Sequence, residues 1–600
     1  MADVKIKSTL TDDEIKNNFK DIDFFSGIMS GLEEALAYEK SNTTVHCLGN
    51  GRVCVYGRGA DIFQAFGPDY SAPESFTASL DGDFDTKKIS YRQYEHRSDK
   101  CVIVDYLPED ESVFYRAVKG EADIGFEIKN AVLQDTPYED TYIAITYEGA
   151  PVYIYDFDKN GKPKSYTSSQ KRYTAVKIHG YAELKRTSES AFTVKCRDCV
   201  VAFSFSHTPE GVFDLLSKPV PDFTLPERRI KADKYYNEVC DGYDAVVSQQ
   251  SYNGSVLAGY NYHLCYVRDN YGVLRFLLAC GAHDRARLLL SFYLSVFERY
   301  GKLHNAQGMA EHAFHIHEND RVEITGYIVL MFAVYFEKTG DAELVRRALP
   351  LIEYCMRCQH EAMIGDVLPF NGDETYVAGG FLPRSALNDG SAEATALYHQ
   401  SIIKLSSLEN TVTVAAELKE KLSFDKEKIE KSYLKNFIYK GTLYANKPGI
   451  GYAPDFRHGV RACGHGFGLC FRNENNDYVC PDCIGKKLPR CYGDGYGKRY
   501  FTAAAVLCPA FTGTELIPKE IIRATAEKVI SEFDTRTDIV GYEPGLLLYA
   551  SGYNEKVISK MLSMRDKFGV WSEYFRGGRQ AGTLYRTWET SVNLAAMLEN

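Results

Sequence analysis

Up to about residue 216 the apolar positions alternate in short runs. Val53–Tyr56, Lys100–Tyr106, Ala122–Ile128, Thr141–Tyr147, Pro151–Phe157, Tyr173–Lys185 and Ala191–Ser206 have this form, with turn signals such as Asp81–Gly82 and Asn160–Gly161 between them. Many short strands in roughly 200 residues predict an antiparallel β-sandwich over 1–216. Only Asp12–Lys40 departs from this, with a helical pattern. Ser217–Lys231 holds Pro219, Pro221 and Pro226 and reads as a linker. Beyond it the period changes to three or four. Helices are predicted over 232–249, 266–281, 283–300, 321–338, 341–359, 391–407, 410–432, 499–508, 517–534, 541–551, 553–565 and 587–599. Helices paired in sequence over 232–600 predict a double ring, an (α/α)6 barrel of six inner and six outer helices. A helical solenoid would show a repeat at fixed spacing, and none is found. The intervening stretches 302–320, 361–390, 440–498 and 566–586 are long and irregular. Such loops in a compact domain usually carry function.

Composition narrows the picture. The 600 residues carry 70 Lys and Arg against 81 Asp and Glu, a net charge of −11. No basic patch suggests nucleic-acid binding. No apolar stretch reaches the ~20 residues of a membrane span, so neither nucleic acid nor membrane is an expected partner. The first residues, MADVKIKSTLTDDEIKNNFKD, lack the apolar run of a secretory signal. With 16 cysteines, that favours the reducing cytoplasm, where thiols stay free or bind metal. Tyr (43) and Phe (33) are abundant and Trp (2) is scarce. Tyr-rich surfaces stack on sugars, although Tyr also fills ordinary cores.

Four segments carry candidate chemistry. Tyr266-Val-Arg268-Asp269-Asn270 opens a predicted helix, where guanidinium and carboxylate form a donor and acceptor fork for hydroxyls, or a simple cap. Asp373 and Glu374 are adjacent in an aromatic, Gly-rich loop. Mutual repulsion raises the pKa of one, as a general acid needs; two solvated acids in a turn are the plain alternative. Trp571-Ser-Glu573 sets a carboxylate among aromatics, ahead of Trp588-Glu589. The insertion at 440–498 contains Cys463-Gly-His465, Cys470, Cys480-Pro-Asp-Cys483 and Cys491. Thiolates at this spacing suit a structural zinc held by Cys470, Cys480 and Cys483, with Cys463, His465 or Cys491 as fourth ligand. His315-Ile-His317 is short and no further ligand pattern follows it, so hydroxyl contacts or capping are expected there rather than metal, and Cys196/Cys199 and Cys355/Cys358 read as packing thiols. Phosphate-loop, serine-hydrolase, zincin and dinucleotide fingerprints are not found.

Together these segments resemble the glucoamylase family and its wider clan of β-sandwich plus (α/α)6-barrel sugar enzymes. The carrying residues are Tyr266-Val-Arg-Asp269 with Tyr271-Gly-Val-Leu-Arg-Phe-Leu-Leu278, Glu318-Asn-Asp320, Gly372-Asp-Glu-Thr375, Trp571-Ser-Glu573 and Trp588-Glu589. The resemblance implies that Arg268 and Asp269 grip the terminal sugar, with Tyr266, Asp373, Trp571 and Trp588 also near substrate. It implies Glu374 as general acid, with Asp373 as competitor, and Glu573 as general base. It further implies an exo-acting, inverting α-glucosidase for short oligosaccharides or disaccharides. Such a reaction needs no catalytic cofactor and two carboxyls ~6.5–9.5 Å apart. The chain departs from the family in its few Trp, its Gly-Asp-Glu-Thr acid motif and its Cys-rich insertion.

A disaccharide phosphorylase of the same architecture, with phosphate replacing water, is the nearest rival. A glycosidase for another sugar comes next, and a sugar-binding protein on a catalytically silent barrel last. A homo-oligomer is compatible with the sequence. The zinc expectation is directly measurable. Purified protein should contain one zinc per chain by elemental analysis, and Cys480→Ala/Cys483→Ala should contain none while the barrel's helical circular dichroism persists.

Overall fold

The computed structural model describes residues 44–71, 74–129, 131–135, 141–147, 156–157, 163–164, 171–303, 306–309, 314–315, 320–369, 389–448, 471–472, 478–479, 499–501 and 503–600. The helix expected over Asp12–Lys40 lies outside them.

The N-terminal part is β. Its strands are β1 (Val45–Gly49), β2 (Cys54–Arg58), β3 (Asp61–Phe66), β4 (Phe76–Leu80), β5 (Asp85–Ser90), β6 (Gln93–Arg97), β7 (Cys101–Tyr106), β8 (Val113–Ile128), β9 (Leu133–Asp135), β10 (Thr141–Tyr147), β11 (Asp156–Phe157), β12 (Pro163–Lys164), β13 (Lys171–Arg186) and β14 (Ala191–Ser206). All but β11 and β12 join one antiparallel sheet in the order β1-β2-β3-β4-β8-β14-β13-β10-β9, with β5-β6-β7 branching from β8. The branch has a geometric cause. A strand has two edges, and β14 occupies one edge of β8 along almost its whole length. The other edge is shared: β7 pairs with its first half and β4 with its last five residues. The sheet therefore forks into two layers. The register slips at Gly180/Tyr181 and between Arg197 and Cys199, as bulges that bend long strands do. Gly180 has φ +101°, and a Cβ there would sit 2.8 Å from the Asp198 carbonyl oxygen. Phe76, Phe114, Phe126, Phe192 and Phe203 fill the core, with Phe76 stacked on Phe203 at 4.0 Å.

Beyond the strands come α1 (Pro209–Ser217), the Pro-rich stretch, and then α2 (Tyr236–Ser248), α3 (Val267–Ala279), α4 (His283–Tyr300), α5 (Asp320–Thr339), α6 (Ala342–Arg347), α7 (Leu349–Ala362), α8 (Ala392–Ser407), α9 (Ala416–Phe437), α10 (Ala503–Thr512), α11 (Lys519–Phe533), α12 (Glu543–Ser551), α13 (Glu555–Ser563) and α14 (Thr587–Glu599). Helix α3 packs on α5, α5 on α8, α8 on α10, α10 on α12, α12 on α14, and α14 back on α3. These six form a closed inner ring. The helices between them, α2, α4, α7, α9, α11 and α13, pack against its outside.

Burial explains which helix lies where. Inner α14 is buried from Thr587 to Met597, all round its circumference. Outer α11 buries only Thr525, Ala526, Val529 and Phe533, a single stripe, and turns Lys519, Glu520 and Lys528 outward. Two expectations are corrected. The single helix predicted over 341–359 divides into α6 and α7, with Ala348 as the C-cap of one and the N-cap of the other. Pro350 lacks the amide that a continuous helix would use. Helix α1, by contrast, follows the last predicted strand, at the end of the stretch expected to form the β-sandwich, where no helix was expected. It is opened by Thr208, whose hydroxyl accepts from the Gly211 amide at 3.1 Å, and by Pro209. Among the described residues no helix is long and apolar enough to cross a membrane.

The strand and helical parts share one hydrophobic core. Polar contacts cross it too. Tyr56 donates to Gln249 Oε1 at 2.8 Å, Tyr70 donates to the Ser248 carbonyl at 2.7 Å, and Tyr94 meets the Tyr585 hydroxyl at 3.2 Å. Lys88 bridges to Asp241 at 2.5 Å and to the Phe568 carbonyl at 3.1 Å.

Beside that junction lies a fully buried ion pair. Arg116 on β8 donates twice to Asp105, its partner across β7, at 2.7 Å each. His96 on β6 sits 3.2 Å from the same carboxylate. Burial raises the Asp105 pKa, but Arg116 and His96 outweigh it and hold the group below the usual carboxylate range. Its contribution to stability is therefore present above the unfolded-state pKa and is lost in acid. Arg116→Met strands a buried carboxylate. Urea unfolding at neutral pH should show a loss of about 3–5 kcal/mol, and the loss should shrink as the pH falls below about 4.

Candidate active site

The ring places the first turns of its helices at one end of the barrel. Arg268 and Asp269 lie in the first turn of α3, and Glu589 lies in the first turn of α14. These two helices are neighbours only because the ring closes. Between them stands Arg586, the N-cap residue of α14.

Arg586 is the hub. Its Nη2 donates to Asp269 Oδ2 at 3.1 Å, its Nε to Glu589 Oε2 at 3.0 Å, and its Nη1 to the Ala258 carbonyl. Its guanidinium carbon lies 5.4 Å from the centre of the Tyr262 ring. Burial works against its charge, but Glu589 and Asp269 more than compensate and keep it protonated. Arg268 Nε is 3.7 Å from Asp269 Oδ1, so Asp269 lies between two guanidinium groups.

The preceding backbone sets this up. Tyr585 has φ +56°, a left-handed conformation that costs a non-glycine residue about 1–2 kcal/mol. It is held there from both sides: its hydroxyl meets Tyr94 of the β part, and its carbonyl accepts from Gln249 Nε2 at 3.2 Å.

Glu573 is built on a different element. It follows the buried Trp571 and precedes a three-stranded sheet of Ile539–Val540, Tyr574–Arg576 and Arg579–Ala581. Its backbone amide donates to the Thr583 carbonyl at 3.0 Å, and its carbonyl accepts from Gly541 N at 2.8 Å. Its side chain is half-buried and fixed at both oxygens. Oε2 accepts from the Thr583 amide at 3.0 Å, and Oε1 lies 3.4 Å from the Tyr262 hydroxyl. Gly582 is required here. Its φ is +71°, and a Cβ would lie 2.8 Å from Glu573 Oε2.

The structure thus brings together Arg268, Asp269 and Glu573. It adds Tyr262, Arg586, Glu589 and Thr583, which the sequence reading did not select as site residues. Two signals could have found them: the Tyr-Asn-Tyr run six residues before Arg268, and the Arg586/Glu589 spacing of one helical turn. Tyr266 is buried, and its carbonyl accepts from Asn270 Nδ2 at 2.8 Å. Trp588 is buried against Phe511 and Tyr542. Trp571 is fully buried, and its indole donates to the Met561 carbonyl at 2.9 Å, on the α13 side. Asp373 and Glu374 lie outside the described residues, as do Cys463, Cys470, Cys480 and Cys483. Among the described residues no cluster of three His, Cys, Asp or Glu could hold a metal.

Five charged groups therefore crowd one end of the ring, three carboxyls and two guanidinium groups. Glu589 carries the consequence. Burial pushes its carboxyl up to about 7; Arg586 pulls it down, while Asp269 and Glu573 push it further up. The unfolded chain releases this proton near 4.5. Folded Glu589 holds it longer, so its contribution to stability is full below that value and is lost as pH rises towards 7. In Glu589→Gln the fall in thermal stability between about pH 4.5 and 7 should be shallower than in the parent by one group's share, as calorimetry would show.

No protein-family model matches the chain, and no curated protein sequence does. Solved structures are similar in shape. A bacterial glucoamylase complexed with acarbose superposes with a TM-score of 0.55 at 10% identity, covering 93% of each chain. A protein from the human microbiome, provisionally named a kojibiose phosphorylase, gives 0.48 at 8% identity over 92% of this chain and 86% of its own. A glycosidase variant in complex with glucose gives 0.41 at 10% identity, over 61% and 99%. The chain has the glucoamylase-like fold, an antiparallel β-sandwich followed by an (α/α)6 barrel.

Proposed function

We propose that this protein is a glycoside-cleaving enzyme, an exo-acting inverting α-glucosidase for short α-glucosides. The observation that carries the reading is Glu573. It is a half-buried carboxylate fixed by the Thr583 amide and the Tyr262 hydroxyl, on the same end of the ring as the Arg268–Asp269 fork. The glucoamylase-like fold supports it.

In this reading Arg268 donates to, and Asp269 accepts from, hydroxyls of the terminal sugar. Their burial lets those bonds form away from competing water. Arg586 donates to Asp269 Oδ2 and so fixes the orientation of that carboxyl. Glu573 takes a proton from the attacking water. Both of its oxygens are held, so it need not reorient as charge develops. Glu374, with Asp373 as competitor, is the proposed general acid, in the sequence before α8. No metal takes part, and the cysteine-rich insertion would be held by its own zinc. Phosphorolysis is the second reading. It is disfavoured because a carboxylate at Glu573 would repel phosphate.

The test is proton NMR on glucose disaccharides with and without phosphate. β-Glucose should appear first from an α-linked substrate, whether or not phosphate is present. Glu573→Gln should lower kcat by about 10³-fold or more, as loss of a catalytic base does, without changing the melting temperature by more than a few degrees. A sugar phosphate formed only with added phosphate would replace hydrolysis by phosphorolysis. Full activity in a folded Glu573→Gln would remove Glu573 from the mechanism.

A further inference from the structure

A fourth carboxyl occupies the same end of the ring without a role in the scheme above. Glu393 lies in the first turn of α8, after the N-cap Ser391. Only 1% of it is exposed. Its Oε1 accepts from the Tyr327 hydroxyl at 2.6 Å and from Cys508 Sγ at 3.3 Å. Tyr327 belongs to α5 and Cys508 to α10, the two helices that flank α8 in the ring. A side chain that reaches both neighbours at once points to the inside of the ring. Tyr327, its donor, packs at 5.2 Å against Tyr271 of α3, three residues after Arg268.

Its other oxygen is the anomaly. Oε2 is buried and, among the described residues, has no hydrogen-bond partner. Buried polar atoms are nearly always paired, because an orphan gives up its bonds to water for nothing in return. Gln would satisfy the same Tyr327 bond without burying an ionisable group.

We propose that Glu393 is a further sugar-binding residue, whose Oε2 takes a hydroxyl of the terminal sugar held by Arg268 and Asp269. This rests on the glycosidase reading. The ligand class follows from the chemistry of the group. With two donors already on Oε1, any proton the carboxyl carries sits on Oε2. Burial pushes the group up to about 7, against the pull of Tyr327, Cys508 and Arg268. Both protonation states are therefore populated near neutrality. A hydroxyl both donates and accepts, so it satisfies either state. A cation would suit only the ionised form, and an anion only the neutral one. Glu393 is thus a specificity-determining contact: it selects sugars that carry a hydroxyl where Oε2 points.

The experiment is calorimetry on the full chain. D-glucose, D-galactose and D-mannose are titrated first, followed by the monodeoxy forms of the tightest binder. One deoxy form should bind the parent about tenfold more weakly than its sugar, the value of one well-placed hydrogen bond to such a group. Glu393→Leu should bind the intact sugar about tenfold more weakly and lose nothing more with that deoxy form. Glu393→Met keeps the length of the side chain without a polar oxygen, so its preference for the hydroxyl should also fall; it serves if Glu393→Leu does not fold. A purely structural Glu393 would shift the melting temperature and leave the ranking of deoxy sugars as in the parent, which would overturn the proposal. If the parent binds none of the sugars, the glycosidase reading itself falls, and this proposal with it. If the parent binds and both variants keep its ranking, only the role of Glu393 falls.

Discussion

Arg586 is the interaction on which the site depends. One guanidinium ties Asp269 on the first inner helix to Glu589 on the last, across more than three hundred residues of chain. Buried carboxylates in such number are costly unless a cation is shared among them. Arg586 offers several donors in a fixed plane, which a lysine could not. Its position is set from outside the inner ring: Tyr585 before it has a left-handed conformation, and contacts Tyr94 of the β-sandwich and Gln249, the C-cap of α2. The β part is therefore joined to the chemistry, although none of the candidate reactive groups lies on it.

Ring closure is what turns this pair of contacts into a site. Helix α14 must lie against α3 for Arg586 to reach Asp269, and the close packing between them permits that. A Cβ on Gly272 of α3 would strike the Trp588 ring at 2.5 Å. The same closure sets α8 among its neighbours, so that Tyr327 and Cys508 reach Glu393 from either side. The ring thus gathers ionisable groups from separate helices at one end of the barrel. In an isolated helix each of them would be solvated.

Much of this was legible along the chain. The change from a two-residue to a 3.6-residue period separated the β from the helical part. Inner and outer helices were found to within a few residues, because each presents either a continuous apolar surface or a clean stripe. The exceptions have local causes. Pro350 divides one expected helix into α6 and α7. Short strands such as β5, with Lys87 and Lys88 among its residues, carry too weak an alternation to stand out. In the candidate site, Arg268, Asp269 and Glu573 were legible because they sit in short, unusual contexts.

By itself the sequence determined the order of elements, their type and the residues able to do acid–base chemistry, because periodicity and composition are local properties of the chain. Only the tertiary structure decided which charged groups share one environment. Arg586 reads as a surface arginine before a helix, Glu589 as a first-turn acid and Glu393 as another. Their burial, their partners and the orphan oxygen of Glu393 arise from contacts between residues tens to hundreds of positions apart. No local pattern encodes those contacts, because the ring's closure fixes them.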